Sequence, residues 1–369
     1  MKIAICSMGE LFGGVERHIL DLCRFYRRQG LPPPLVLLFH DRELARVLRA
    51  EGIDPVIVRG RGRYDPALVG RVAGLLAGAG IDVVHAHGYK ATIVAGLAAG
   101  KAGCRAIKTE HGRLEAGRNR PLDWVKSRLN FRLEQWVTRR RIGHVCYVTD
   151  DIARSFDHWH RGLARSTVRN GIDPLDRSAY PRPADLPLDT FNVGIVGRVT
   201  RVKGIDFACD AFARPEVPRR AVLHVIGTGP LEDALRGRAA RAADGRLRLL
   251  GFKRNVFDYL AHLDLLLMPS LHEGLPYALL EAWSLGCPLA VSRVGGLAEV
   301  LPEVPGISLY EVGDVAGIAG AVAAAERAGR DGRPALPPCP LTLEAMGAAY
   351  LDIMGGPAKP AAGEAGRRD

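Results

Sequence analysis

No apolar run in this 369-residue chain approaches the roughly 18 residues that a membrane-crossing helix needs, so a spanning anchor is not expected. A secretory leader pattern is also missing, because the chain opens directly on a strand, Lys2-Ile3-Ala4-Ile5-Cys6. Cysteine is sparse: seven residues, an odd number, with no Cys-x-x-Cys pair. That excludes a disulfide framework and a thiolate metal centre as first readings and favours reduced thiols in a cytosolic protein. No nucleic-acid-binding motif is visible. Outside 113–141 the basic residues lack interleaved aromatics, so nucleic acid is not an expected partner. Acid is short relative to base, 40 residues against 51, for a formal net charge of +11. Such a surplus suits nucleic acid, an anionic membrane surface or phosphate-bearing small molecules; arginine enrichment from a GC-rich genome is the bland alternative.

What is present is a long alternation of short apolar runs and helical patterns, which argues for parallel sheets covered by helices. Strands are expected at 2–6, 35–39, 55–58, 83–87, 106–110 and 144–148, and again at 191–197, 221–227, 247–251, 265–269, 288–292 and 306–310. Val15, Ile19, Leu22, Cys23 and Tyr26 recur at helical spacing between the first two, as do Leu68, Val72, Leu75 and Leu76 further on. Pro181, Pro183 and Pro187 break the pattern. The expected division is therefore an α/β domain at 1–175, a linker at 176–190 and a second α/β domain at 191–340. A helix at 341–354 and a disordered Gly/Ala/Pro tail at 355–369 follow. Two such domains would face a cleft, where the carboxyl ends of their strands bind ligands.

The densest signal is Ser270-Leu271-His272-Glu273-Gly274-Leu275-Pro276-Tyr277-Ala278-Leu279-Leu280-Glu281, directly after the strand Leu265–Met268 and its closing Pro269. Strand, glycine turn and helix start form a corner whose N–H groups and helix dipole favour an anion. Glu273 and Glu281, eight positions apart, suit hydroxyl groups better than phosphate. The corner thus reads as a site for a ligand with both phosphate and polyol character. Arg198 and Lys203 follow another strand end, where a guanidinium fork and an ammonium would suit a diphosphate. Glycine turns recur at Gly13-Gly14, at Gly227-Thr228-Gly229 and at Gly295-Gly296. None matches a dinucleotide fingerprint, so a nicotinamide cofactor is not expected.

His85, His87 and His111 end neighbouring strands; His111, followed by Gly112, is the one expected to act, and a zinc site from the three stays open on spacing alone. The basic stretch 113–141 carries Leu129, Phe131, Leu133, Trp136 and Val137 and reads as an amphipathic helix that either contacts a membrane surface or packs on the first domain.

With these pieces in order, the chain resembles the GT-B glycosyltransferases of family 4, also called glycosyl transferases group 1. The resemblance covers nearly the whole length. It is carried by the Glu-x7-Glu element within EGLPYALLEAWSLGCP and by GGVERHILDL, VVHAHG, KTEHG, VRNGIDP, VGRVTRVKG, VIGTGPL and VGGLAEV. It implies two Rossmann-like domains and a final helix that crosses back onto the first.

It also implies transfer of a sugar from a UDP-, GDP- or ADP-sugar to a lipid-linked or polysaccharide acceptor, with retention, in cell-surface or exopolysaccharide synthesis. The protein would be cytoplasmic or peripheral on the inner membrane face, with no metal and no cofactor. Arg198 and Lys203 would hold the donor diphosphate, and Glu281 the ribose. Glu273 with Gly274, Leu275 and Pro276 would meet the donor sugar and phosphate, beside Gly227 and Gly229. Gly13 and Gly14 would line the phosphate and acceptor side, and His111 would sit near the transferred sugar. A nucleotide-sugar 2-epimerase on the same fold and a non-catalytic carbohydrate-binding protein are the competing readings.

Overall fold

Short apolar runs alternating with amphipathic stretches fold into two separate parallel sheets covered by helices. The computed structural model describes residues 1–10, 13–61, 65–113, 121–242, 244–330 and 332–355, and of 121–125 the backbone only. Contacts divide the chain into two units, one of Met1–Asn170 with the segment from Leu343 on, the other Gly171–Thr342.

In chain order the first unit runs β1 (Ile3–Ser7), α1 (Gly14–Arg28), β2 (Leu35–Leu38), α2 (Glu43–Ala50), β3 (Val56–Ile57), α3 (Ala67–Gly78), β4 (Val83–His87) and α4 (Tyr89–Ala102). It continues through β5 (Arg105–Glu110), α5 (Pro121–Arg141), β6 (His144–Tyr147), α6 (Asp150–Ser155) and β7 (Arg165–Thr167). The sheet order is β3-β2-β1-β4-β5-β6-β7, all parallel. The direction of winding therefore reverses between β1 and β4, the switch point where such sheets bind ligands. Strands β1 and β4 are buried along their whole length, as expected of a parallel sheet covered on both faces. The edge strand β7 is absent from the sequence-based set, because Arg165-Ser166-Thr167 has no apolar residue; pairing to β6 alone makes it a strand.

The second unit runs β8 (Phe191–Val196), α7 (Ile205–Phe212), β9 (Ala221–Ile226), α8 (Glu232–Ala242), β10 (Leu247–Gly251), α9 (Val256–His262) and β11 (Leu265–Met268). After these come α10 (Tyr277–Ser284), β12 (Leu289–Ser292), α11 (Gly295–Val300), β13 (Ile307–Tyr310) and α12 (Val315–Ala328). Its order, β10-β9-β8-β11-β12-β13, has the switch point between β8 and β11. The interval 176–190, expected as a linker, belongs to this unit. Asp185 accepts hydrogen bonds from Lys253 Nζ at 2.9 Å and Tyr259 OH at 2.8 Å, and Leu186 is buried.

The chain then returns. Helix α13 (Leu343–Gly355) completes the core of the first unit with Leu343, Met346, Tyr350 and Met354. Gly347 makes the contact with α1 close, since a Cβ there would fall 2.3 Å from the Phe25 ring. Arg105 Nη1 donates to the Met354 carbonyl at 2.7 Å, a cation placed on the last turn of a helix. The crossing-back expected of the final helix is present. From residue 356 on, the expected tail lies outside the described residues.

Candidate functional site

In the second unit, three loops leave the carboxyl ends of β8, β9 and β11 and pack backbone against backbone. Glycine alone permits this. A Cβ on Gly227 (φ +143°) would lie 1.9 Å from the Gly197 carbonyl oxygen, and one on Gly229 would lie 2.3 Å from that of Val199. One on Gly204 (φ +60°) would lie 1.9 Å from that of Pro269. Backbone bonds lock the same contacts: Val199 N–H to Thr228 O at 2.9 Å, and Leu271 N–H to Val202 O at 2.8 Å.

Within this frame Lys203 Nζ donates to Glu273 Oε1 at 2.6 Å, and Ser270 Oγ donates to the same oxygen at 2.7 Å. Ser270 is held in turn, its carbonyl accepting from Ser292 Oγ at 2.6 Å. Two of the expected site residues are thus joined in one ion pair, with side-chain exposures of 18% and 12%. A pair this sheltered is screened less than a surface one. Arg198 lies exposed at the β8 end, and among the described residues its guanidinium has neither a hydrogen-bond nor a carboxylate partner. Its charge, unlike that of Lys203, meets no carboxylate among the described residues.

Leu275 is buried and Gly274 and Pro276 half-buried where the chain enters α10; Pro276 sets its first turn with an extended ψ of 137°. Glu281 lies one turn into α10 and is buried. The arrangement offers an anion a bare guanidinium, a half-neutralised ammonium and a helix N-terminus, and offers hydroxyls two carboxylates.

The first unit gathers its own group at its switch point. His87 Nδ1 and His111 Nε2 share a hydrogen bond of 2.9 Å, and His85 Nε2 bonds Thr109 Oγ1 at 2.7 Å. Thr109 Oγ1 meets Tyr350 OH of α13 at 3.0 Å. His18, on α1, bonds Asn170 Oδ1 through Nδ1 at 3.0 Å, and its ring stands edge-on to His111 with centroids 4.9 Å apart. Burial pushes His18 down to about 4. His85, His87 and His111 are held well below the ordinary imidazole value by burial first and by neighbouring rings second. At neutral pH the whole group is uncharged: it can exchange hydrogen bonds with a polyol but cannot neutralise a phosphate.

Ligand atoms of His18, His87 and His111 lie within 4.8 Å of one another, a set that could hold a divalent cation. The sequence-based trio had His85 in the place of His18; in the structure His85 Nε2 is taken by Thr109. Gly13 and Gly14 are exposed at the start of α1, one turn ahead of His18, and Gly13 N–H donates to Glu16 Oε2 at 3.0 Å. Among the described residues a Cβ on Gly112 would meet nothing within 4 Å. His18, Asn170 and Tyr350 escaped the sequence reading as site residues, and Ser270 was read only as part of its segment. His18 carried one usable signal: a polar residue in phase with Val15, Ile19 and Leu22 on the buried face of α1.

The same two units are recognised by family models. Residues 12–175 match Glycosyltransferase Family 4, and residues 190–326 match Glycosyl transferases group 1. The chain is 29% identical over 197 residues to the 2-deoxystreptamine glucosyltransferase of Streptomyces kanamyceticus, which covers 50% of this chain and 51% of that protein. It is 26% identical over 231 residues to the UDP-Gal:alpha-D-GlcNAc-diphosphoundecaprenol alpha-1,3-galactosyltransferase of Escherichia coli, covering 58% of each. The chain thus spans about half the length of the curated relatives it matches. Among solved structures, HepE of Anabaena in complex with UDP and glucose superposes with a TM-score of 0.77 at 19% identity, over 97% of this chain and 100% of that one. WaaG, a glycosyltransferase involved in lipopolysaccharide biosynthesis, gives 0.67 at 17%, over 96% and 100%. At those identities the likeness shows the fold, two doubly wound GT-B units.

Proposed function

Since the chain belongs to the family 4, group 1 glycosyltransferases, we propose that it moves a sugar from a nucleoside diphosphate sugar to a lipid-linked or polysaccharide acceptor in glycan synthesis, with retention of anomeric configuration. The observation that carries this reading is the Lys203–Glu273 pair held in a corner where Gly204, Gly227 and Gly229 let three strand-end loops touch. The HepE complexes with UDP and with UDP-glucose make a UDP-sugar the first donor to try. The diphosphoundecaprenol in the Escherichia coli relative's name favours a lipid-linked acceptor. Among the described residues no helix is long and apolar enough to cross a membrane, so this reading makes the chain peripheral on the inner face, where such acceptors are presented.

In the reaction the bond between the anomeric carbon and the diphosphate oxygen breaks, and its electron pair stays on the leaving group. The acceptor hydroxyl oxygen bonds the same face of that carbon, and its proton passes to the departing phosphate oxygen. Negative charge grows on the leaving diphosphate, which is what Arg198, Lys203 and the start of α10 would stabilise. Lys203 begins the cycle paired to Glu273, so diphosphate must draw the ammonium from that carboxylate, leaving Glu273 for the donor sugar. Glu281 takes the ribose hydroxyls. The neutral His111, aligned by His87, takes a hydroxyl of the transferred sugar. These residues supply the electrostatic stabilisation without a metal ion.

The test is incubation of the full chain with UDP-, GDP- and ADP-sugars and polyprenyl-diphosphate sugar acceptors, with and without EDTA, reading nucleoside diphosphate release and the anomeric configuration of the product by NMR. A retained glycoside formed in EDTA is the expected result. Release of a free epimerised nucleotide sugar, or an EDTA-dependent reaction, would overturn the reading.

A further inference from the structure

Loops that leave the carboxyl ends of β1, β2, β3 and β4 line a cavity of about 690 Å³ in the first unit. Backbone contacts fix its walls. Phe39 N–H donates to the Ser7 carbonyl at 3.3 Å and His40 N–H to that of Met8 at 3.1 Å, which ties the ends of β1 and β2 together. Gly9 (φ +65°) lets these two loops close up, since a Cβ there would lie 3.3 Å from the His40 carbonyl oxygen. After β3, Arg71 Nη2 donates to the Arg59 carbonyl at 2.9 Å and holds that loop in turn.

Three cations line the cavity: Arg42 and Arg59, both exposed, and Lys90, half-buried with its ammonium 5.6 Å from the centre of the Phe39 ring. Among the described residues none of the three forms an ion pair. Two acids stand with them. Asp41 is already engaged, accepting from Arg49 Nη1 at 2.8 Å, and Arg59 acts on it only as a weaker, more distant charge. That leaves Glu10 against three cations. Helix α4 starts in the same wall with no acid in its first turn, so its dipole adds to the positive potential. Its first residue, Tyr89, is 39% exposed and sets an aromatic ring beside Lys90 for the apolar face of a sugar. An amine-bearing acceptor would be repelled here, and a neutral glycan would leave the cations unanswered. Phosphate supplies the charge that this lining lacks. Tyr89 and Lys90 follow His87 by two and three residues, so ring, ammonium and histidine group share the end of β4.

We propose that this cavity is the acceptor subsite and takes a saccharide bearing a phosphate or diphosphate, with Arg42, Arg59 and Lys90 holding the anion and Tyr89 the adjoining sugar. This rests on the transferase reading and narrows it: the acceptor is anionic and is recognised by its phosphate, not by its sugar alone.

The test is calorimetric titration of the full chain with glucose 1-phosphate and with methyl glucoside, in saturating UDP so that the corner at Arg198 and Lys203 is filled. Glucose 1-phosphate should bind about tenfold or more tightly than methyl glucoside, and R42Q/R59Q and K90Q should each lose about tenfold of that affinity. The control R27Q/R154Q removes the same charge from exposed positions on α1 and α6 and should bind as the parent does. Every substituted position is exposed or half-buried, and an unchanged melting temperature certifies each variant. Glucosyl diphosphofarnesol, titrated in parallel, separates the sources: tighter binding than glucose 1-phosphate assigns a lipid diphosphate, equal or weaker binding a soluble sugar phosphate, and either supports the cavity. Equal affinity for methyl glucoside, no binding of either phosphate, parental binding by R42Q/R59Q, or equal loss in the control would each overturn the proposal. Hydrolysis of UDP-, GDP- and ADP-sugars by the same proteins keeps the two readings apart. Phosphosugar binding without any donor turnover sinks the transferase reading and leaves a phosphosaccharide site; donor turnover without phosphosugar binding does the reverse.

Discussion

His18 offers a direct test of the neutral histidine group. The buried imidazole is pushed down to about 4, against an ordinary value of 6.5 in the unfolded chain. The unfolded state therefore takes up a proton that the folded state refuses. Stability from neutral His18 is complete above pH 6.5 and drains as pH falls toward 4. Integrating the two titrations, a change from about pH 7.5 to about pH 5 costs about 2 kcal/mol through this residue alone, and the loss levels off near about 3 kcal/mol below pH 4. His85, His87 and His111 act in the same direction.

Asp21, on the same helix, acts in the opposite one, because burial raises its carboxyl against the pull of Arg17 and Arg24. The informative quantity is therefore a difference of differences. His18→Asn keeps a polar atom for Asn170 where Nδ1 was and removes the titration. Unfolding of both proteins at the two pH values, followed by hydrogen exchange at β1 and β4 amides so that the first unit alone is read, should show the parent losing about 2 kcal/mol more than the variant. A gap that does not change with pH, or an NMR titration of His18 near 6.5, would refute the reasoning.

The Lys203–Glu273 pair sets a competition, so substitutions should move nucleotide affinity in opposite directions: Glu273→Ala tightens UDP binding and Lys203→Ala weakens it, each about tenfold by calorimetry, while both lower turnover. Equal loss of UDP affinity in both would show that the two residues do not compete. Gly227→Ala pushes a methyl into the Gly197 carbonyl and should destabilise the second unit by about 2–3 kcal/mol in denaturant unfolding; a neutral result would mean the loops do not touch. Burial pushes the thiols of Cys6, Cys23 and Cys287 up to about 12, and only Cys104 and Cys339 are partly exposed. A thiol reagent should find no more than two fast-reacting groups in native protein and seven in denaturant; a third fast group would contradict the packing.

Much of this was readable in the chain, because a parallel strand buried on both faces is a local apolar run. Val83–His87 and Leu247–Gly251 begin and end where their sequence suggests, and every other expected strand lies within a residue of its observed bounds. Strand β7 was not, since its pairing is its only cause. In α5 the apolar spacing was visible but its direction was not. Which face turns inward depends on Lys108 and His160, partners far along the chain from Glu134 and Gln135, and no periodicity encodes them. The corner in the second unit was legible for a related reason: Ser270, Glu273 and Gly274 fall in one short segment. The histidine group draws His18, His87, His111, Asn170 and Tyr350 from across the first unit's whole length, and only their meeting makes them a set.

The return of α13 has a consequence for how the chain is made. The first unit begins at Met1, yet Met346 and Tyr350 of its core, and the glycine that admits Phe25, come after all of Gly171–Thr342 has been synthesised. At the usual elongation rate that delay is roughly 10–30 s. During it Phe25 and the edge of Tyr26 lack their final covering, while the second unit has its whole sequence available and can close first. A nascent chain stalled before Leu343 should therefore be a substrate for chaperones at its N-terminal half, although that half has long since left the ribosome.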